Sequence, residues 1–264
     1  MVRRRLDAEL VRRGLASTRD EAGEAVRAGL VTVGGAPATK AAALVAPEEP
    51  LDVASVPREF VSRGALKLRA GLDRFGVDPS GRDCLDAGAS TGGFTDCLLR
   101  AGAARVAAVD VAYGQLAWSL RTDPRVVVLE RTNVRELRAD ALPFAPTLVV
   151  ADLSFVSLRS VMPALARVSA VDADFVLLVK PQFEAPPDDV PAGGVVRDPR
   201  TWRRAIEGVA IACRGLGVGA QDVAASPLRG SAGNVEFLLH ARAGADERAL
   251  DLEDALEVGR SARG

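Results

Sequence analysis

The chain has 264 residues, 48% of them hydrophobic and 26% charged, with a formal net charge of −1. That is enough apolar material for one large domain, or a large and a small one, and a sum so near zero makes the distribution of charge the informative quantity. A single histidine, His240, excludes a multi-histidine metal site and would have to serve any Ser-His-Asp triad, which weakens hydrolase readings.

Three scattered cysteines (Cys84, Cys97, Cys213), with no Cys-x-x-Cys, argue against a disulfide framework or zinc knuckle and fit a reducing cytoplasm. Apolar runs are short, and the Arg-rich start leads into an amphipathic pattern instead of a signal-peptide stretch, so neither membrane insertion nor secretion is expected.

Residues 1–45 carry eight basic and five acidic side chains. Leu6, Leu10 and Val11 recur at helical spacing. Ser17 or Thr18 can cap a second helix with Asp20 and Glu21 in its first turn and Ala22, Ala25 and Val26 on its apolar face. "GLVTVGGAPATK" then alternates and reverses at Gly34-Gly35, which predicts a hairpin.

The positions Arg5-Leu6-Asp7, Gly14-Leu15, Thr18-Arg19, Ala22, Gly29 and Val31-x-Val33-x-Gly35 together resemble the S-four (alpha-L) RNA-binding module. The resemblance implies that Arg3, Arg4, Arg5, Arg12, Arg13, Arg19 and Lys40 contact structured RNA. Without it, a small helical cap with solvated arginines would explain the segment as well. "APEEPLDVASVPREF", with three prolines and four acids, breaks helix and sheet periodicity and predicts that the first domain and its linker end at residue 59.

From residue 82, strand-like runs alternate with helical ones: "DCLDAGA", "RVAAVDV", "VVVLERT", "TLVVADLS", "DFVLLVK", "DVAASPL" and "NVEFLLHA", with helices expected at 92–102, 157–168 and 199–215. Such alternation predicts an α/β, doubly wound, mostly parallel sheet. Only "RGSAG" separates the last two strands, too little for a parallel crossover, so the last strand is expected to run antiparallel. This seven-stranded plan is similar to the class I methyltransferase variant of the Rossmann architecture. Residues 60–245 are assigned to it, and the acidic residues 246–264 to a tail with a short helix.

"LDAGASTGGFT" follows the first strand. Gly88, Gly92 and Gly93 permit tight turning close to a ligand, but Ser90 stands where a dinucleotide fingerprint has its second glycine, and Asp86 would repel a pyrophosphate. A cationic or zwitterionic ligand suits the loop better, although Asp86 alone also reads as a turn or helix-cap carboxylate. Asp110, 24 residues on, closes the second strand where a carboxylate can accept both ribose hydroxyls. The combination fits S-adenosylmethionine, with Phe94, Asn133 and Asp152 completing the candidate cofactor residues.

The chain has only three lysines, Lys40, Lys67 and Lys180, among 34 basic residues. Lys180 and Asp152 each end a parallel strand, Glu236 lies in the antiparallel last strand, and Lys67 sits on a helix expected beside the sheet. Two amines and two carboxylates can therefore converge at the cofactor edge. With "SRGALKL", "ADLSFVSL", "LLVKPQFE" and "SPLRGSAGNVEFL", the chain resembles the FtsJ-like 2′-O-methyltransferases and, within them, the TlyA family.

The resemblance implies a catalytic Lys67, Asp152, Lys180 and Glu236, with Arg63 added to the candidate RNA contacts; Ala65 departs from the family's usual second glycine. A ribose hydroxyl needs orientation and a proton acceptor, and a lysine amine can serve where an arginine cannot. Taken singly, Lys180 could instead be a strand-end lysine reaching solvent.

The expected function is S-adenosylmethionine-dependent 2′-O-methylation of cytidine riboses in 23S ribosomal RNA, with 16S a second candidate. The expected partner is ribosomal RNA within ribosomal subunits, with no membrane and no metal. A membrane-lytic haemolysin, another label in this family, would need an exposed membrane segment, and none is found. A non-catalytic RNA-binding assembly factor is opposed by the intact "DAGASTGG" and tetrad. The Pro/Gly-rich stretch 182–198 is expected to border the RNA site as a lid, or else to be functionless loop.

Overall fold

The computed structural model describes residues 3–16, 18–54 and 59–261, so the cap candidate Ser17 lies outside the described residues. The chain divides into two compact units, Met1–Glu59 and Phe60–Gly264. The first contains β1 (Arg4–Arg5), α1 (Leu6–Arg12), α2 (Arg19–Arg27), β2 (Val31–Val33), β3 (Ala36–Pro37), β4 (Leu44–Val45) and β5 (Leu51–Val53). Thr18 caps α2, its hydroxyl accepting the Glu21 N–H at 3.2 Å. Leu6, Leu10, Ala22, Val26, Val31 and Val45 close a small core.

One sequence expectation fails here. The proline-rich stretch after Val45 was expected to be irregular, yet Leu51–Val53 pairs antiparallel with β2. Pro50 stands just ahead of the strand, where its missing N–H costs no ladder bond, and its carbonyl accepts the Gly34 N–H at 2.8 Å.

The second unit runs α3 (Gly64–Phe75), β6 (Asp83–Ala87), α4 (Gly93–Arg100), β7 (Arg105–Val109), α5 (Trp118–Arg121), β8 (Val126–Leu129), β9 (Leu148–Ala151), α6 (Leu158–Val168), β10 (Asp174–Val179), α7 (Pro181–Glu184), α8 (Pro199–Arg214), β11 (Val218–Ala225), β12 (Phe237–Ala243) and α9 (Leu252–Ser261). The sheet order is β11-β12-β10-β9-β6-β7-β8, parallel from β10 to β8, with β12 antiparallel to both neighbours. The α/β expectation therefore holds.

Both faces are covered, as the near-continuous apolar strands require. Phe175, Leu177 and Val179 of β10 pack on one side with α6, α8 and α9, and Val176 and Leu178 on the other with α3 and α4. Glycine 76, at φ 64°, ends α3 in the left-handed conformation.

Register places the site. Leu177, Ala151, Ala87, Val109 and Leu129 form one row across five parallel strands. Gly88, Asp110 and Asp152 emerge one residue beyond it. Because β12 runs the other way, Val179 lies opposite Phe237, so Lys180, leaving β10, and Glu236, entering β12, sit side by side. Glu236 thus precedes the last strand instead of lying within it.

The acidic segment 246–264 is no detached tail in its described part. Ala255 and Leu256 of α9 join the core while Glu253, Asp254 and Glu257 face outward, and the Arg248 N–H bonds Ala220 O on the β11 edge at 2.8 Å.

The stretch 182–198 is pinned at its far end. Buried Asn234 accepts the Val196 N–H at 2.9 Å and donates to Gly194 O at 2.8 Å, and Trp202 Nε1 donates to Val196 O at 2.9 Å. Loss of the Asn234 amide strands a buried N–H. Asn234→Ala is expected to lower the unfolding free energy by ~2 kcal/mol, measured as a reduced urea midpoint at unchanged m-value.

Candidate active site

Lys67, Asp152, Lys180 and Glu236 line one cavity of about 570 Å³ at the carboxyl edge of the parallel strands. They form two ion pairs: Lys180 Nζ lies 2.6 Å from Asp152 Oδ1, and Lys67 Nζ lies 2.5 Å from Glu236 Oε2. Lys180 Nζ also donates to Ser154 Oγ at 3.1 Å. Lys180 is 8% exposed and Glu236 2%, so strand-end snorkelling does not describe this lysine.

The backbone around the pairs is built for close approach. A Cβ on Gly230 would overlap Glu236 Oε1, and one on Gly88 (φ 90°) would lie 2.5 Å from Asp152 O. Buried Glu184 ties α7 to the first turn of α6, accepting the Leu158 N–H at 2.6 Å, and so steadies the segment that begins at Lys180.

A second cavity, of about 420 Å³, shares Gly88, Ser90, Asp152, Ser154 and Phe155 with the first and adds Asp110, Ala112, Asn133 and Val134. Its volume falls in the roughly 300–1,000 Å³ range of ligand sites. Asp110 accepts the Ser90 N–H at 2.7 Å on one oxygen and the Ala112 N–H at 2.8 Å on the other. Each oxygen keeps acceptor capacity toward the cleft. The first of these bonds holds Ser90 at φ 48°, a conformation glycine would take more cheaply.

Asn133 caps the short turn after it through the Arg135 N–H at 3.2 Å while lining the cleft. Phe94 and Gly93, at the start of α4, border the first cavity instead, and Gly92 turns the chain at φ 96° where a side chain would overlap Leu120.

Asp86 does not reach either cavity. It is fully buried in β6, where Thr95 Oγ1 donates to its Oδ2 at 2.6 Å and its Oδ1 has no partner among the described residues. Burial pushes its carboxyl up to about 7 against the Thr95 hydrogen bond, with Asp152 adding to the rise. A direct contact with a cationic ligand, the sequence expectation for Asp86, is corrected by this placement: the strand's alternation turns the side chain inward beneath the loop.

The profile of the FtsJ-like methyltransferases matches residues 60–243 and that of the S4 domain residues 4–51. A 16S/23S rRNA (cytidine-2′-O)-methyltransferase TlyA of Mycobacterium tuberculosis is 54% identical over 258 residues, 96% of each chain. Hemolysin A of Brachyspira hyodysenteriae is 35% identical over 89% of this chain and 98% of its own. A solved structure of a Streptococcus thermophilus protein, also labelled a hemolysin, superposes with a TM-score of 0.79 at 33% identity, covering 99% of this chain and 97% of that one. The chain belongs to the FtsJ-like methyltransferase family, in its TlyA branch.

FtsJ-like methyltransferases use S-adenosylmethionine. The second cavity fits that cofactor in size and donor set: Asp110 offers acceptors for ribose hydroxyls, Asn133 a hydrogen-bonding amide, and Gly88 a backbone with no side chain between cleft and reacting cavity. Among the described residues there is no cluster of His, Cys, Asp or Glu suited to a metal ion, and no helix long and apolar enough to cross a membrane.

In the S4 domain of this FtsJ-like chain, Arg3, Arg4, Arg5, Arg12, Arg19 and Lys40 are exposed. Two buried acids underlie them. Arg5, with Arg19 behind it, holds Asp7 down to about 2, and Arg12 and Arg13 hold Glu9 down to about 2. Arg13 is set apart from the others: its guanidinium donates to Glu49 O at 2.9 Å and Pro47 O at 2.7 Å, and so fastens the loop before β5. The resemblance to the S-four module grouped it with the RNA contacts, while in the fold its guanidinium bonds Glu9 and the carbonyls of Ala46, Pro47 and Glu49. Arg63 borders the first cavity.

The sequence reading overlooked Ser154, Ser62, Arg229 and Gly230, all in the walls of the first cavity. Ser154 lay inside the quoted "ADLSF", two residues past Asp152, and this proximity was the one signal available.

Two outcomes follow from these geometries. Burial raises the Asp86 carboxyl from its ordinary value of 3.8 to about 7 in the folded chain. Between these values the folded chain holds a proton that the unfolded chain has lost, so this group's contribution to stability falls as pH rises, by up to ~1.4 kcal/mol per pH unit. Subtracting the pH profile of Asp86→Asn from that of the wild type, both by urea unfolding, should expose that slope. Arg13→Ala should lower the melting temperature with RNA affinity preserved in the folded fraction, whereas Arg12→Ala should weaken RNA binding and flatten its salt dependence by about one phosphate contact in filter binding.

Proposed function

We propose that this chain methylates the 2′-hydroxyl of cytidine riboses in ribosomal RNA, in 23S and also 16S, with S-adenosylmethionine as methyl donor. The observation that carries the proposal is the pair of Lys–carboxylate contacts in a cavity that shares its wall with the cofactor cleft. Bound S-adenosylmethionine supplies an electrophilic sulfonium methyl group. Lys180 Nζ accepts the proton as the 2′-oxygen becomes nucleophilic, and Asp152 holds that amine in place.

Lys67, fixed by Glu236, sets a positive charge beside the reacting hydroxyl and stabilises the negative charge that develops on it. These attractions act where little water screens them, so they are stronger than at the surface. Removing one partner of a buried pair strands the other, which costs several kcal/mol, so substitutions that keep the charge are the informative ones. The exposed arginines of the S4 domain hold the RNA backbone, and their contribution is non-specific in sequence.

The test is tritiated methyl transfer to separated ribosomal subunits. Wild type is expected to label a cytidine 2′-oxygen. Lys180→Arg, which keeps the charge but provides no base, is expected to lose at least ~100-fold in kcat, while Lys40→Arg keeps kcat. Full activity in Lys180→Arg would remove Lys180 from the role of base, and an inert wild type on both subunits would refute the function.

A further inference from the structure

The base assigned to Lys180 works only if its lone pair points at the substrate, and Asp152 alone does not secure that. A lysine nitrogen is tetrahedral: one position goes to Cε, leaving three. In the neutral amine these are two N–H bonds and one lone pair. With Cε and the 2.6 Å contact to Asp152 Oδ1 each taking one position, two remain, and the lone pair can occupy either of them.

Ser154 Oγ supplies the second anchor. It accepts from Lys180 Nζ at 3.1 Å, and with two N–H directions taken the third position of the nitrogen is determined. No third acceptor for Nζ occurs among the described residues; the nearby Phe183 ring, its centroid 5.9 Å away, offers only a π face. A serine hydroxyl has two acceptor lone pairs and one proton, so it can take the amine's N–H without surrendering its own donor.

The backbone is held for this purpose. Phe155, next in the chain, adopts φ 61° while 92% exposed, a left-handed conformation that is costly for an aromatic residue and is offset only by a tilted contact with the Phe183 ring at 5.2 Å. The turn brings Ser154 to the wall common to both cavities.

We propose that Ser154 is a positioning residue that, together with Asp152, fixes the direction of the Lys180 lone pair toward the ribose hydroxyl. The inference rests on Lys180 acting as the base in methyl transfer. It concerns orientation, so its signature lies in turnover and not in binding of RNA or cofactor.

The experiment compares full-length wild type, Ser154→Ala and Ser154→Thr in steady-state methylation of ribosomal subunits, with cofactor affinity measured separately by calorimetry. Ser154→Ala should lower kcat roughly tenfold while KM for RNA and Kd for S-adenosylmethionine stay within about twofold. Ser154→Thr, which keeps the oxygen, should restore kcat to within about threefold of wild type.

Wild-type kcat in Ser154→Ala would overturn the proposal, as would a deficit that Ser154→Thr fails to relieve or one confined to KM. An inert wild type would overturn the functional reading and this inference together, whereas an active wild type with unimpaired Ser154→Ala would overturn this inference alone.

Discussion

The antiparallel contact between β10 and β12 sets where Lys180 and Glu236 stand. Val179 pairs with Phe237 across the antiparallel contact between β10 and β12, so that the residue leaving one strand meets the residue entering the other. Side chains alternate with a period of two, and a slip of one residue would exchange the faces of every side chain in β12 and carry Glu236 away from Lys67. The apolar faces of Leu238 on one side and Phe237 and Leu239 on the other oppose such a slip, so the core's register also fixes Glu236. The parallel strands β6 and β9 place Gly88 and Asp152 by the same rule, one residue beyond a shared row.

Each amine in the cavity has its own carboxylate within hydrogen-bond distance, so neither polar group is left buried without a partner. Asp86 shows the opposite solution under the same sheet edge. Without a cation, and with only Thr95 to satisfy it, it becomes harder to ionise. Three carboxylates on adjacent strands, Asp86, Asp110 and Asp152, thus differ by environment: one is buried and raised, one braces the loop through backbone amides, and one pairs with Lys180.

Much of this was legible in the sequence because strand ends are legible. The apolar runs ended at Asp110, Asp152 and Lys180, and once the strands were read as parallel those residues had to share an edge. The short "RGSAG" connection was enough to reverse the last strand and bring Glu236 to the same place. What could not be read depended on partners distant in the chain.

Arg13 looks like its neighbours until the carbonyls of Pro47 and Glu49 are found against it. Likewise, α9 has an acidic composition that conceals two core positions, and the proline-flanked Leu51–Val53 becomes a strand only because β2 offers it an edge. The inward turn of Asp86 is a matter of strand alternation at a single position, which the motif "LDAGAS" does not disclose. Ser154 was hidden for another reason: its role lies in the direction of a hydrogen bond, and direction has no trace in composition or spacing.

The scarcity of lysine has a practical side. Arginine supplies nearly every cation on this 27.6 kDa chain, and of the three lysines two line the first cavity, each paired with its own carboxylate, while the third, Lys40, is exposed in the S4 domain. A sample labelled isotopically at lysine alone would therefore give a magnetic resonance spectrum of three side-chain amines. Two of those signals report directly from the first cavity, and the third is an internal standard in water. The composition makes that cavity observable one proton at a time.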